Sequence, residues 1–191
     1  MQEKRIFIIH GWGGSPEEPM HKWIRNELKN KGFRVEEPIM PNSDEPEINA
    51  WINKIKSTVK NPNENTTLIG HSIGCQAILR YLAILDSDVN VGNVVLIAPW
   101  IYLDDKTIEE EGEESIRIAK PWVETPISWK KIKIHSNNFS CIFSDNDSFV
   151  PLPNKYIFEK ELGAKIIVEH NKGHFDPDSG VKKLEVILKL I

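Results

Sequence analysis

Six short apolar runs, at 6–9, 35–39, 67–69, 94–97, 140–143 and 166–168, recur along this chain with stretches of helical periodicity between them. Most are continuously apolar instead of alternating, the pattern of strands buried on both faces of a parallel sheet. Between them Met20, Trp23, Ile24 and Leu28 keep helical spacing ahead of Gly32, and Ile48, Trp51, Ile52, Ile55 and Val59 do the same. Ile78, Leu82 and Leu85 line one helical face, Tyr156, Ile157 and Leu162 suggest a helix ended by Gly163, and Val181, Leu184, Ile187, Leu188 and Ile191 form a last stripe. This alternation predicts an α/β fold: a three-layer, doubly wound sheet of about six mainly parallel strands, in one domain spanning 1–191. The segment 100–138 breaks the rhythm with a charged stretch, Pro121, Pro126 and three tryptophans, and reads as a short helical insertion over the crevice at the strand ends.

The chain is long enough, at 191 residues, to bury a substantial core without disulfides, metals or obligate partners. A net charge of −4, with lysines interleaved among glutamates, leaves no basic stripe for nucleic acid. No apolar run approaches the ~18 to 20 residues of a membrane span, so no membrane association is expected. The start runs directly into an apolar strand and then His10 and Gly11, without the layout of a signal peptide. The two cysteines, Cys75 and Cys141, both fall inside predicted elements, which fits a thiol-reduced, cytoplasmic protein. A monomer or weak homodimer is expected.

In a doubly wound sheet the loops leaving the C-terminal strand ends line the ligand crevice. After the third run stand Gly70, His71, Ser72, Ile73 and Gly74, followed at once by a helical stretch. A serine on a tight strand-to-helix turn projects its hydroxyl from the sheet edge, and glycines two residues to either side relieve the crowding there. A serine hydroxyl needs a base near pKa 7 and a carboxylate to orient that base. Of six histidines, His174, just beyond the last predicted strand, is placed to serve. His10 and His71, at strand ends, read as structural or loop-fixing, and His21 and His135 as surface residues. His170 and His174 have the four-residue spacing of a helical zinc pair, but Gly173 and the preceding strand argue against a helix, so no metal is expected there.

For the carboxylate, the loop after the fifth strand offers Asp145 and Asp147. Asp147 is favoured because it stands in Asp-x-x-Val-Pro, the arrangement usual for an acid turn, with Asp145 as the competitor that could bond loop amides. The loop lacks the oxygen ligands, glycine and distal glutamate of a calcium site. Donors for a developing oxyanion would be the amide of Ile73 and that of Trp12, in the glycine-rich segment 10–14. That segment lacks the spacing of a phosphate-binding loop. The chain order Ser72, Asp147, His174 is that of the α/β-hydrolase fold.

The chain resembles the retinoblastoma-binding-protein-nine and YdeN-like serine hydrolases over nearly its whole length. The likeness rests on the segments 10–14 and 70–74, on Pro121 and Trp122 followed by 129–133, on 147–151 and on Gly173, His174 and Phe175. It implies Ser72, Asp147 and His174 as the catalytic triad, a minimal sheet without the large fold's first antiparallel strands, and no cofactor. The Leu-x-Cys-x-Glu motif that gives the family its name is absent, so retinoblastoma binding does not carry over, and Ser148 stands where relatives often have proline.

Of the six tryptophans, Trp12 and Trp100 fall on loops at the C-terminal sheet edge and are the candidates for a substrate pocket; Trp23, Trp51 and Trp129 read as core. The acidic cluster at 109–114 reads as a solvated helix face. The expected function is hydrolysis of a small carboxylic ester, or a related amide or thioester, through an acyl-enzyme. The competing expectation is a non-catalytic protein-interaction module on the same scaffold.

Overall fold

In a computed structural model describing residues 3–191, the apolar runs form one six-stranded sheet. The strands are β1 (Arg5–Ile9), β2 (Arg34–Glu36), β3 (Thr66–His71), β4 (Asn93–Ile97), β5 (Phe139–Ser144) and β6 (Lys165–Glu169), in spatial order β2-β1-β3-β4-β5-β6. Every neighbouring pair is parallel. The central strand β3 is buried throughout, which is why its sequence shows no alternation. β2 is shorter than its apolar run because Pro38 cannot continue a ladder, and Ile39 beyond it lies 75% exposed.

Seven helices connect the strands: α1 (Pro19–Asn30), α2 (Ile48–Thr58), α3 (Ile73–Leu82), α4 (Asp105–Glu110), α5 (Glu113–Glu124), α6 (Trp129–Lys133) and α7 (Asn154–Leu162). Pro19 at the first helical position of α1 costs nothing, since that N–H has no intrahelical acceptor. α7 ends on Gly163 in the left-handed conformation, as its sequence predicts. Its buried face is carried by Phe158 and Leu162, however, while Tyr156 points to solvent at 61% exposure. The final apolar stripe yields only a 3₁₀ turn, Glu185–Lys189, packed with α1. α2, α3, α6 and α7 form the opposite layer, in which α3 touches both α2 and α6.

The chain visits β2 on one side of β1 and then crosses to β3 on the other, so the strand order reverses between β1 and β3. Ligand crevices open at such a switch point, outside the C-terminal ends of the strands. The register aligns those ends: Ile9 lies beside Gly70, His71 beside Ile97, and Ser144 beside Glu169. Five loops therefore meet at one edge, from β1, β3, β4, β5 and β6.

α3 is buried along its whole length, including two polar side chains that face the segment between β4 and β5. Arg80 donates from Nη2 to the carbonyls of Trp122 (2.9 Å) and Thr125 (2.7 Å) at the end of α5, and its guanidinium lies 5.6 Å from the Trp122 ring centroid. Gln76, one turn earlier, accepts from Arg80 and donates to the carbonyl of Trp100. Burial pulls the Arg80 guanidinium down to about 10, still charged at neutral pH. The pair ties the inserted helices to α3, the helix that begins at Ser72.

Candidate active site

Ser72 lies between β3 and α3 with φ of 52° and ψ of −119°, a conformation that L-residues rarely adopt. The reason is local crowding. A Cβ on Gly70 would stand 2.8 Å from the amide nitrogen of Cys75, and one on Gly74 would strike the carbonyl oxygen of Ile9 and lie 2.6 Å from that of His10. The Ser72 amide is anchored to the Ile97 carbonyl at 2.9 Å, which fixes the turn against β4.

His174 reaches Ser72 from the loop beyond β6. Ser72 Oγ lies 2.8 Å from His174 Nε2, and His174 Nδ1 lies 2.8 Å from Asp147 Oδ2. The serine hydroxyl thus has an acceptor, and the imidazole N–H has a carboxylate. The Asp147 side chain is 2% exposed, and its other oxygen accepts the amides of Phe149 (2.9 Å) and Val150 (3.0 Å). The alternative carboxylate, Asp145, meets a different histidine: its Oδ2 accepts from His170 and its Oδ1 from the amide of Asn171. That amide, with His170 second, holds the Asp145 carboxyl below its usual range. His170 and His174 do not converge on a metal, because both ring nitrogens of His174 are taken by Ser72 and Asp147.

The loops after β5 and β6 are stitched side by side. Ser144 Oγ accepts the Lys172 amide at 3.0 Å, Asn146 Oδ1 accepts the Gly173 amide at 2.8 Å, and Ser179 Oγ accepts the His174 amide at 3.0 Å. The first two bonds cross between the loops beyond the ends of β5 and β6, the third braces the His174 loop internally, and together they set Asp147 opposite His174.

Ile73 opens α3, so its amide is among the N–H groups of the helix that have no intrahelical acceptor. The Trp12 amide approaches from the loop after β1. Among the described residues, neither amide has a protein acceptor. Both residues border a cavity of about 260 Å³ that contains Ser72 and His174 in its wall. Trp12 and Trp100 line it, as do Leu103, Ile108 and Phe149, which position in sequence alone did not single out. The Trp12 ring is held by a hydrogen bond from Nε1 to the Asp44 carbonyl at 2.8 Å, and Phe149 stands 5.2 Å from the His174 ring. Trp51 and Trp122 are fully buried in the core, edge to face, while Trp129 meets Phe158.

His21 and His135, expected at the surface, are both buried. His135 is buried, with Nδ1 bonded to the Val89 carbonyl at 2.7 Å. His21 is fully buried as well, with Nδ1 2.6 Å from Glu37 Oε1, whose carboxylate also takes Arg25 at 2.7 Å. The sign was present in the sequence, since His21 falls three residues before Ile24 and seven before Leu28, on the stripe facing the core. His10 fixes its loop, donating from Nδ1 to the Gly11 carbonyl at 2.9 Å and accepting the Met40 amide at 3.0 Å. His71 supports the loop beyond β6, donating from Nε2 to the main-chain carbonyl of His174 at 2.8 Å. Burial, and then the neighbouring His174 and His21, hold His71 well below its ordinary range, so it is neutral. Burial pushes the nearby Glu18 carboxyl up. Glu18, His21 and His71 bring one ligand atom each within 4.8 Å of one another.

A parallel sheet of this order, with a serine on a strained turn and an imidazole and carboxylate from the next strand ends, defines an α/β-hydrolase of the serine type. The chain belongs to the Serine hydrolase family, whose model matches residues 6–191. It is 23% identical to YdeN of Bacillus subtilis over 188 residues, 98% of this chain and 94% of that protein. The crystal structure of the ydeN gene product is similar with a TM-score of 0.85, at 25% identity over 98% of this chain and 96% of that one. Serine hydrolase RBBP9 of Rattus norvegicus is 26% identical over 183 residues, covering 95% and 87% of the two chains. A likeness of fold extends to Est1E from Butyrivibrio proteoclasticus, solved with ferulic acid bound, at a TM-score of 0.69 and 14% identity over 97% of this chain and 88% of that one. Among the described residues, no helix is long and apolar enough to cross a membrane.

Proposed function

We propose that this protein is a carboxylesterase that cleaves small esters through an acyl-enzyme. The observation that carries the reading is the unbroken relay Ser72 Oγ to His174 Nε2 and His174 Nδ1 to Asp147 Oδ2, 2.8 Å at each step, in the wall of a cavity that Trp12, Trp100, Leu103, Ile108 and Phe149 also line. Ser72 attacks the ester carbonyl as His174 takes its proton. Asp147, held by two amides, fixes the imidazole tautomer and stabilises the imidazolium. The amides of Ile73 and Trp12 receive the oxyanion, a role worth about 3 to 4 kcal/mol per donor. His174 then protonates the departing alkoxide, water enters, and the same residues reverse their parts to release the acid.

The acyl group proposed for the cavity is flat and apolar, because Trp12, Trp100 and Phe149 offer ring surface around Ser72. Ferulic acid bound to Est1E, of the same fold, supports an aromatic acyl group here. Amide and thioester cleavage draw on the same groups, and leaving-group preference lies in the cavity's shape. The complete relay favours turnover over a role limited to protein binding. Cys75 and Cys141, both free and buried, fit a reducing, cytoplasmic location.

The test is intact-mass analysis after fluorophosphonate treatment, followed by peptide mapping and an ester panel of graded acyl size. A single adduct on Ser72, absent in Ser72→Ala, with turnover of aryl esters lost in the same variant, is the expected result. No adduct on folded protein, or turnover unchanged in Ser72→Ala, would refute the esterase reading.

A further inference from the structure

Two imidazoles meet beside the active-site cavity, His71 in its wall and His21 buried behind it, and the partners around them dictate where their protons sit. His21 Nδ1 lies 2.6 Å from Glu37 Oε1, a carboxylate already paired with Arg25, so that nitrogen carries the hydrogen and donates. His71 Nε2 lies 2.8 Å from the His174 carbonyl oxygen, which can only accept, so that nitrogen also carries its hydrogen. With both rings neutral, the inner nitrogens, His21 Nε2 and His71 Nδ1, each present a lone pair, and they are 3.4 Å apart. Two lone pairs at that distance repel unless a cation lies between them. Glu18 aims a third ligand at the same point, with Oε2 3.8 Å from His21 Nε2.

We propose that Glu18, His21 and His71 form a binding site for a divalent cation of the zinc class. Zinc bonds imidazole nitrogen at about 2.0 to 2.1 Å, and at the tetrahedral angle two such ligands lie about 3.4 Å apart. The separation of the two ring nitrogens matches that edge, and the carboxylate needs only a small inward movement. Two imidazoles and one carboxylate suit zinc and its borderline neighbours, not magnesium or calcium. The outer partners are those that metal-bound histidines use: a carboxylate behind His21 and a main-chain carbonyl behind His71, each fixing ring orientation. A bridging proton would satisfy the two nitrogens alone, whereas three ligand groups converge here.

Access and an open coordination position come from the cavity, because Glu18 and His71 both line it beside Ser72 and His174. The site links α1 to the loop bearing His174, since His21 belongs to α1, Glu18 immediately precedes it, and His71 holds the His174 main chain. An ion there braces that loop and presents a positive charge to the acyl pocket. The inference stands apart from the esterase reading, because it requires no turnover.

The experiment uses full-length protein stripped with chelator, freed of chelator, and titrated separately with Zn²⁺, Co²⁺ and Mg²⁺. Expected are one equivalent of zinc bound, the intense visible band of four-coordinate cobalt, and no magnesium binding. Glu18→Gln, which is isosteric, should weaken zinc at least tenfold, His21→Ala should abolish binding, and Glu37→Gln should weaken it about 10- to 100-fold through the ring it orients. His170→Ala and Ser72→Ala should bind as the parent does. Failure of the parent to bind zinc in excess, a six-coordinate cobalt spectrum, or affinity unchanged in Glu18→Gln would overturn the proposal. Should His21→Ala not fold, the Glu18→Gln titration and the cobalt spectrum still decide the matter.

Discussion

Replacing Arg80 with leucine keeps the helix propensity of α3 but removes the group that holds the end of α5. In the parent, one guanidinium nitrogen serves the carbonyls of Trp122 and Thr125, at 2.9 and 2.7 Å, in a buried setting. Each carbonyl left without a donor costs about 1 to 3 kcal/mol. Relief from burying a cation that no carboxylate neutralises offsets part of that sum, leaving a net loss of about 3 kcal/mol. For a chain of this size a loss of that order lowers Tm by roughly 6 to 12 °C. Urea unfolding followed by tryptophan fluorescence and by far-ultraviolet circular dichroism gives the free energy, and coincidence of the two curves checks the two-state assumption. Arg80→Lys should recover less than half of the loss, because a single ammonium cannot serve both carbonyls and also replace the Nη1 bond to Gln76. Should Arg80→Leu come within about 0.5 kcal/mol of the parent, or exceed it, the argument that this buried cation fastens the inserted helices is wrong.

The two loop aspartates should separate by kinetics: Asp147→Asn is expected to lower kcat on an aryl acetate by about 10⁴, the order seen when a triad carboxylate is neutralised. Asp145→Asn, whose partner is His170 at the rim, should change it less than threefold, and the reverse ranking would contradict the assignment. Gly74→Ala should cost about 3 kcal/mol or prevent folding, because its Cβ meets the backbone of β1 instead of a yielding side chain; a normal urea midpoint would refute the crowding argument. His10 and His71 are both held below their unfolded value of about 6.5, so the unfolded chain binds protons that the folded one refuses. Stability is therefore full above that pH and falls below it, by about 1 to 2.5 kcal/mol between pH 7 and 5.5 in chelator-treated protein, whereas a flat or rising profile would contradict their neutral burial.

The sheet was legible because parallel strands buried on both faces appear as unbroken apolar runs, and the turn at Ser72 because only glycine fits at 70 and 74. Edges were harder to read: Val181, Leu184 and Ile187 are buried, yet the segment forms a short 3₁₀ turn rather than a helix, and local periodicity does not distinguish the two. Phe158 takes the inner face where the sequence pattern points to Tyr156, because α7 is weakly amphipathic and composition does not declare its inner face. In the cluster of Glu18, His21, Glu37 and His71 only the first two share a sequence spacing, three residues apart at the start of α1; the loop after β2 and the end of β3 join them only in three dimensions. Leu103, after β4, and Phe149, after β5, belong to the same class: their place at the cavity depends on how these two loops meet, where the Asp104 amide donates to the Phe149 carbonyl at 2.9 Å.

The residues gathered around the cavity differ in how firmly they are moored. Ser72 is rooted in the middle of the sheet, with β1 and β4 on either side of its strand, while His174 follows β6, an edge strand that pairs with β5 alone. Opening of β6 would carry the imidazole away while the serine, the central strands and α3 stayed folded. Chemical competence is in that sense a property of the sheet's margin, and the molecule can fall silent long before it comes apart.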